Sequence, residues 1–169
     1  MIPKLKLFAE SLLPFILWFK DNPDDKDTKY VVSRLVRFSS DSPEVHGIPY
    51  MYSLGALEAA KEKGVENPEE RLKWIRWKEQ TLKRGLRDDG RKGGVFHQEH
   101  IVPISQIAKL LYELEEPSVE NIYEVLLNNL KVAWILKTEQ RILDSSNRSG
   151  IRTPEELTEL KIYIKGFNI

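Results

Sequence analysis

The chain has 169 residues, of which 41% are hydrophobic and 31% are charged, a composition typical of a soluble globular protein with a sizeable core. It contains no cysteine, which excludes disulfides, thiol catalysis and thiolate zinc sites and is compatible with the cytoplasm, where we expect the protein to act. Basic and acidic residues balance at 26 each, so nucleic-acid binding would require a local basic patch. The longest apolar run is short and contains Pro14, so we expect no membrane partner.

The first half of the chain is predicted to be helical. Residues 4–20 favour an amphipathic or buried helix that ends in a polar turn. Residues 29–38 fit a strand or a helix, because their β-branched content and their arginine spacing point in opposite directions. A short helix is predicted over residues 54–63, and another begins with Asn67 at its N-cap and Pro68 in its first position.

The second half alternates extended segments with helices. Residues 95–104 and 130–136 are predicted to be extended. Four helix starts follow from potential caps at Ser105, Ser118, Thr138 and Thr153. The last helix is predicted over residues 157–165. We therefore expect an α+β fold that is mostly helical, with a helical N-terminal region over residues 1–93 and a second region over residues 94–169.

Two of the three histidines, His97 and His100, lie within residues 96–100. The carboxylate of Glu99 is the kind of hard oxygen donor that binds divalent cations, and the adjacent His100 carries an imidazole, a base whose ordinary pKa lies near neutrality. Such a pair suits the activation of water against a phosphodiester while a metal stabilises the leaving oxygen. A helical zinc-protease site is disfavoured by the spacing and by Pro103. A His–Glu pair also fits an ordinary hydrogen bond in a core or on a surface.

Residues 99–105, with the sequence Glu-His-Ile-Val-Pro-Ile-Ser, resemble the first motif of the HNH endonucleases. Downstream, Asn129 and the leucine after it resemble the central Asn-Leu of that motif. Residues 132–136 are similar to the second strand of the HNH hairpin, and residues 138–144 are similar to the helix on its metal side. The resemblance spans about residues 94–169 and implies a ββα-metal core, a hairpin followed by a helix, in this region.

The resemblance implies catalytic roles for two residues. His100 would be the general base, and Asn129 would fix the loop that carries it. The segment between them is long and holds two predicted helices, so Asn128 and Asn121 remain alternatives for the motif asparagine. His97 either helps to bind the scissile phosphate or packs beside its neighbour in the core.

The resemblance also implies a single bound ion, Mg²⁺ or Mn²⁺. Glu99 would be its first ligand. The last histidine of the HNH pattern is absent, and its place falls on Glu139 or Gln140. An oxygen of either side chain can bind such an ion, and Glu139 also supplies negative charge.

Residues 71–92 contain nine basic residues within 22 positions, interleaved with Trp74 and Trp77. This segment leads directly into residues 96–100, so it suits a track of phosphate contacts with salt-sensitive binding. The basic residues assigned to nucleic-acid binding are Arg76, Lys83, Arg84, Arg87, Arg91 and Lys92. Interspersed acidic residues also allow an ordinary solvated helix face.

These features predict a metal-dependent endonuclease that cuts DNA, in a restriction, defence or phage setting. A double-strand cutter built on one such site would need a homodimer. The first helix offers an apolar surface for it, with Leu12, Leu13, Phe15, Trp18 and Phe19. The alternative is a nucleic-acid-binding or protein-interaction module that keeps an HNH-like fold but has lost catalysis, as the missing last histidine suggests.

Overall fold

The computed structural model describes residues 2–40, 51–69, 87–88, 93–147, 150–159 and 164–165. The helices are α1 Pro3–Asp21, α2 Lys26–Ser40, α3 Leu54–Glu62, α4 Ile104–Tyr112, α5 Val119–Asn129, α6 Lys137–Asn147 and α7 Pro154–Glu159. The strands are β1 Met51–Ser53, β2 Arg87–Asp88, β3 Gly93–Gly94, β4 Phe96–His100, β5 Val132–Leu136 and β6 Ile164–Lys165. The fold is therefore mixed α+β with a predominance of helix, as the sequence predicted.

The chain divides into two units, and each is built from two separate stretches. The first unit comprises Met1–Ile48 and Val102–Lys131, and the second comprises Pro49–Ile101 and Val132–Ile169. This division differs from the expected boundary at residue 93. The physical reason is that the apolar faces of α4 and α5 pack with those of α1 and α2, so the segment between β4 and β5 joins the helical unit.

Apolar residues at helical spacing explain the first unit. In α1, Leu5, Leu12 and Ile16 are fully buried, and they recur on one face of the helix. In α2, Val32 and Val36 lie four residues apart and are both fully buried. This shared face resolves the ambiguity of residues 29–38 in favour of a helix. The same core includes Ala9, Val102, Ile104, Ile107, Ala108, Leu111, Ile122, Tyr123, Leu126 and Leu130.

The helix starts follow the predicted caps at two of four positions. Ser118 and Thr153 each accept a hydrogen bond from the backbone N–H three residues later, at 3.1 and 3.2 Å. The predictions for Ser105 and Thr138 are wrong, because both are second residues of their helices. The chain enters α4 through Pro103, so the extended segment ends before residue 104, and it enters α6 directly from β5.

The second unit contains a four-stranded mixed sheet in the order β4-β5-β1-β6. β4 and β5 are antiparallel, with Phe96 opposite Leu136 and His100 opposite Val132. β1 runs parallel to β5 and antiparallel to β6. The last predicted helix was too long, since α7 ends at Glu159 and part of the expected helix forms β6.

The two faces of this sheet carry different cores. On one face, Phe96 and Trp134 form an edge-to-face aromatic pair and pack with residues of α3. On the other face, Ala133 and Ile135 of β5 pack with Leu143 of α6, and with further residues from β1, from α7 and from the segment that follows β4. The helices α6 and α7 therefore cover the face opposite to α3.

Most of the apolar residues proposed for a dimer surface are used inside the first unit. Leu12 is fully buried, and Leu13 and Phe15 pack against the core. Phe19 stacks on another aromatic ring at a centroid distance of 4.0 Å. Trp18 remains 55% exposed, so only one of the five residues is available as a large exposed surface group.

Within the described parts of the chain, none of the helices has both the length and the apolar character needed to cross a membrane. Pro68 and the residue after it are helical, which agrees with the helix start predicted there. The remainder of that expected helix lies outside the described residues.

Candidate functional site

Strand alternation separates the residues of β4. Successive side chains of a strand point to opposite faces of a sheet. Phe96 belongs to the core beside α3, so His97 and Glu99 lie on the face covered by α6 and α7. His100 is the last residue of β4, is partly exposed and belongs by alternation to the Phe96 face. The side chains of Glu99 and His100 therefore point to opposite faces of the sheet at the end of β4.

Glu99 lies at the centre of a group of four ionisable side chains, of which Glu99 and Arg152 are buried. It is 7% exposed, and its Oε1 lies 2.8 Å from Nε of Arg152, which is itself 3% exposed. Its other oxygen, Oε2, lies 3.5 Å from Nε2 of His97. Nη1 of Arg152 lies 3.9 Å from a carboxylate oxygen of Glu156. Each charge of this group therefore has an opposite or polar neighbour, as buried charges require.

The pKa of the Glu99 carboxyl lies below its usual value. The largest single influence is burial, which raises the pKa, but hydrogen bonds from His97 and Arg152 and the positive charge of Arg152 together outweigh it. Glu99 is therefore an ionised carboxylate at neutral pH. An ionised carboxylate on a strand end is the kind of oxygen donor that a divalent cation binds.

Glu139 has a structural role at the start of two helices. Its Oε2 accepts a hydrogen bond from the backbone N–H of Leu136 at 2.7 Å and another from Oγ of Ser53 at 2.6 Å. Ser53 also caps α3, since its Oγ accepts a bond from Ala56 N at 3.0 Å. Leu136 directly precedes α6 and Glu139 is the third residue of that helix, so the bond between them is one half of a capping box. One carboxylate oxygen therefore ties together the N-termini of α3 and α6.

A glycine permits this arrangement. A Cβ at Gly55 would lie 2.8 Å from Oε1 of Glu139 and 3.2 Å from a methyl carbon of Leu136. Both distances are shorter than the van der Waals contact of such atoms. The absence of a side chain at Gly55 thus gives the carboxylate its place between the two helices.

Glu139 lies away from the Glu99 pair. Glu99 is opposite Ala133 in the sheet, whereas Glu139 is bonded to Leu136, three residues further along β5, or about 10 Å by the rise of a strand. Gln140 donates a hydrogen bond from Nε2 to a carboxylate oxygen of Asp144 at 3.1 Å. The described residues contain no group of three or more side chains arranged to hold a metal ion. The structure thus brings Glu99 together with His97, and does not bring Glu139 to them.

Asn129 is the last residue of α5 and is bonded within its own helix. Its Nδ2 donates to the backbone oxygen of Val125 at 2.8 Å, and its carbonyl accepts from Lys131 N at 2.7 Å. An asparagine that closes a helix end is common. The amide group that was expected to fix the loop of the general base therefore serves the C-terminal end of α5.

Most of the basic segment assigned to nucleic-acid binding lies outside the described residues. This applies to Arg76, Lys83, Arg84, Arg91 and Lys92, and to both tryptophans between residues 71 and 80. Arg87 is described as part of the backbone of β2, where it pairs with Gly94 of β3. The β2–β3 ladder immediately precedes β4, so the basic segment leads into the strand of Glu99.

Two residues of the site had no predicted role. The sequence assigned no chemical role to Arg152, and nothing in its spacing indicated a partner 53 positions earlier in the chain. Ser53 similarly bonds Glu139 across 86 positions. Both contacts depend on tertiary structure, so local sequence patterns carry no signal for them.

β4, β5 and α6 form a strand–strand–helix succession in the second unit. The two strands pair antiparallel along their full length, with residue 96 opposite residue 136. α6 begins at Lys137, directly after β5, and Leu143 packs it against the sheet. Glu99 and His100 lie at the end of the first strand of this succession.

Comparison of the chain with models of protein families, with curated protein sequences and with solved structures found no match.

Proposed function

We propose that the chain is a metal-dependent endonuclease that hydrolyses phosphodiester bonds of DNA, with Glu99 and His100 at its centre. The observation that carries this proposal is the position of the pair at the end of β4, in a succession of two antiparallel strands and a helix. Two helices, α4 and α5, lie between the strands in the chain, so the support for a ββα-metal core comes from the pairing of β4 with β5 and from the helix that follows β5. A restriction, defence or phage setting suits such an activity equally well.

Of this pair, the Glu99 carboxylate is the side chain that we assign to Mg²⁺ or Mn²⁺, and the described residues add no group of further ligands to it. Mg²⁺ is commonly bound by one or two carboxylates together with water and substrate phosphate. Glu99 supplies one ionised carboxylate, in which Oε1 is held by Arg152 and Oε2 has the longer contact, 3.5 Å to His97. Oε2 is therefore the oxygen that we assign to the ion. When bound there, the ion would stabilise the negative charge that develops on the leaving oxygen.

His100 is assigned the role of general base. An imidazole has an ordinary pKa near neutrality, so its neutral form can accept a proton from water at physiological pH. His100 stands at the end of the strand and is partly exposed, so a DNA backbone can approach its ring. The basic segment that precedes β4 supplies the proposed contacts to the DNA phosphates.

A second candidate function is a nucleic-acid-binding module that has kept this fold and lost catalysis. The observation that favours it is the engagement of Glu139, whose Oε2 accepts bonds from Ser53 and from Leu136 N. In this case the ion would lack its second carboxylate. Binding of DNA would then persist in EDTA and in the absence of the imidazole of His100.

Plasmid cleavage separates the two functions. The purified chain is incubated with supercoiled plasmid in Mg²⁺, Mn²⁺ or EDTA, beside His100→Ala and Glu99→Gln prepared in the same way. The nuclease proposal expects nicking or linearisation that needs the metal and is lost in both variants. DNA that is retarded on a gel without cleavage by any of the three proteins would support the binding module. Neither cleavage nor retardation would refute both.

A further inference from the structure

One side of α2 exposes aromatic and basic residues together. Tyr30 and Phe38 are 60% and 56% exposed, although phenylalanine is among the residue types that are most often fully buried. Arg34 lies midway between them in the sequence, and Lys26 and Arg37 are exposed as well. With 3.6 residues per turn, these five residues share the side of the helix opposite to its buried valines. We call them the aromatic-basic face of α2.

The charge of this face is positive. The helix contains four basic residues and one acid, the largest excess of positive charge among helices α1 to α7. In the described part of the chain, no acidic side chain forms an ion pair with Lys26, Arg34 or Arg37. The acid, Asp27, lies in the first turn, where a negative charge interacts favourably with the helix dipole. The aromatic-basic face is therefore complementary to a polyanion.

The rings and the charges of this face lie close together. The guanidinium carbon of Arg34 is 5.0 Å from the centroid of the Tyr30 ring, which is a cation–π contact. A planar guanidinium can stack on a ring and still present N–H donors to a phosphate. Phe38 lies eight residues after Tyr30, or about 12 Å along the helix axis. One strand of DNA has a phosphate about every 3.4 Å, so the two rings span three or four nucleotides.

We propose that the aromatic-basic face of α2 binds an unpaired strand of DNA, with bases stacked on Tyr30 and Phe38 and phosphates held by Arg34 and Arg37. A duplex presents only the edges of its bases to a protein, whereas an unpaired strand offers their flat faces. Surfaces that hold single strands combine positive charge with aromatic rings in this way. The choice of DNA over RNA rests on the proposed nuclease function, but the face belongs to the first unit and includes no residue of the proposed active site.

The first test measures binding of a fluorescent oligothymidine of about 16 nucleotides, the upper end of a usual single-strand site, by anisotropy in EDTA. Tyr30→Ala and Phe38→Ala each remove one ring, so we expect each to raise the Kd about 5–150-fold. Tyr30→Phe keeps the ring and should bind like the wild type. Leu7→Ala is the control, since it removes an exposed apolar side chain of α1. Unchanged affinity in both alanine variants would overturn the proposal.

The second test measures the salt dependence of the same binding. Each phosphate contact to a single strand contributes about 0.7 to the slope of the logarithm of affinity against the logarithm of salt concentration. Arg34→Gln and Arg37→Gln should each reduce the slope by about that amount. Arg141→Gln, which neutralises an exposed arginine of α6, should leave it unchanged. A wild-type slope in both α2 variants would refute the phosphate contacts.

A third measurement needs no substitution in the protein. An oligomer that carries bromodeoxyuridine is photo-cross-linked to the wild type, and the adducts are located by peptide mapping. We expect adducts at Tyr30 or Phe38. Adducts confined to other parts of the chain would overturn the proposal.

The remaining outcomes identify other partners. Tighter binding of duplex DNA, of an oligouridine or of phosphatidylserine vesicles than of oligothymidine, lost in Tyr30→Ala, would overturn the assignment to unpaired DNA. A wild type that binds oligothymidine through this face but cuts no DNA in any metal would refute the nuclease and support the binding surface. A wild type that cuts DNA while every α2 variant binds oligothymidine normally would support the nuclease and refute the surface.

Discussion

Replacement of Glu139 distinguishes a helix-capping carboxylate from a metal ligand. Its Oε2 accepts bonds from Ser53 Oγ at 2.6 Å and from Leu136 N at 2.7 Å. Glu139→Ala removes both bonds and leaves a backbone donor at the start of α6 without its acceptor. Glu139→Gln keeps an oxygen for both donors and removes the charge.

The expected loss follows from the two bonds. A hydrogen bond to a charged group contributes about 1.5–3 kcal/mol, and Glu139 is only partly buried, which reduces the contribution of its charge. We therefore expect Glu139→Ala to lower the free energy of unfolding by about 2–3 kcal/mol. Glu139→Gln should lose about 1 kcal/mol, because neutral hydrogen bonds contribute roughly that much less than charged ones.

Urea unfolding monitored by circular dichroism measures both variants, with Glu155→Ala as the control. Glu155 is an exposed acid in the first turn of α7, and its replacement tests for a general effect of losing charge at a helix start. A Ser53→Ala and Glu139→Ala double-mutant cycle should give a coupling of about 0.5–3 kcal/mol for residues in direct contact. Unchanged stability in Glu139→Ala together with weaker Mn²⁺ binding would refute the capping role and assign Glu139 to the metal.

Three further predictions concern stability. Ser118→Ala removes the cap of α5 and should lower the free energy of unfolding by about 1 kcal/mol, whereas Ser118→Gly should lose only a few tenths; equal losses in urea would contradict the cap. The Tyr112 hydroxyl is buried without a hydrogen-bond partner among the described residues, so Tyr112→Phe should raise the free energy of unfolding by up to about 1 kcal/mol; a clear loss would reveal a partner. Since folding lowers the pKa of Glu99, its pairing stabilises the protein fully above the unfolded pKa, and this stabilisation is lost as the pH falls from the unfolded pKa through the lower pKa of the folded state. The Tm should drop over that acidic range in the wild type and less in Glu99→Gln; identical pH profiles would exclude this linkage.

Local patterns in the sequence predicted much of the secondary structure. The caps at Ser118 and Thr153 use hydrogen bonds within four residues, so the sequence alone contains both partners. Residues 29–38 remained ambiguous because their propensities conflict, and tertiary packing of Val32 and Val36 decides in favour of a helix. Thr138 has a side chain suited to a helix cap. However, β5 continues to residue 136 and α6 begins at residue 137, so Thr138 already lies inside the helix.

The site was less predictable, because its contacts join distant parts of the chain. Glu99 and His97 could be named from their spacing alone. The arginine that neutralises Glu99 lies 53 residues away, and the serine that engages Glu139 lies 86 residues away. The sequence also showed no sign that the segment between β4 and β5 packs with the first helices. A unit built from two separate stretches of the chain produces no change in local composition that would reveal it.

The most direct test of the central proposal is the single-turnover rate of DNA cleavage at saturating Mn²⁺ for the wild type and His100→Ala, with and without added imidazole. A general base contributes about 10²–10⁴-fold to such a rate. We therefore predict a loss of that size in His100→Ala and its partial recovery when imidazole is supplied in solution. Equal rates for the two proteins, or a wild type that leaves the DNA intact at every metal concentration, would contradict the assignment of His100 as the base of a nuclease.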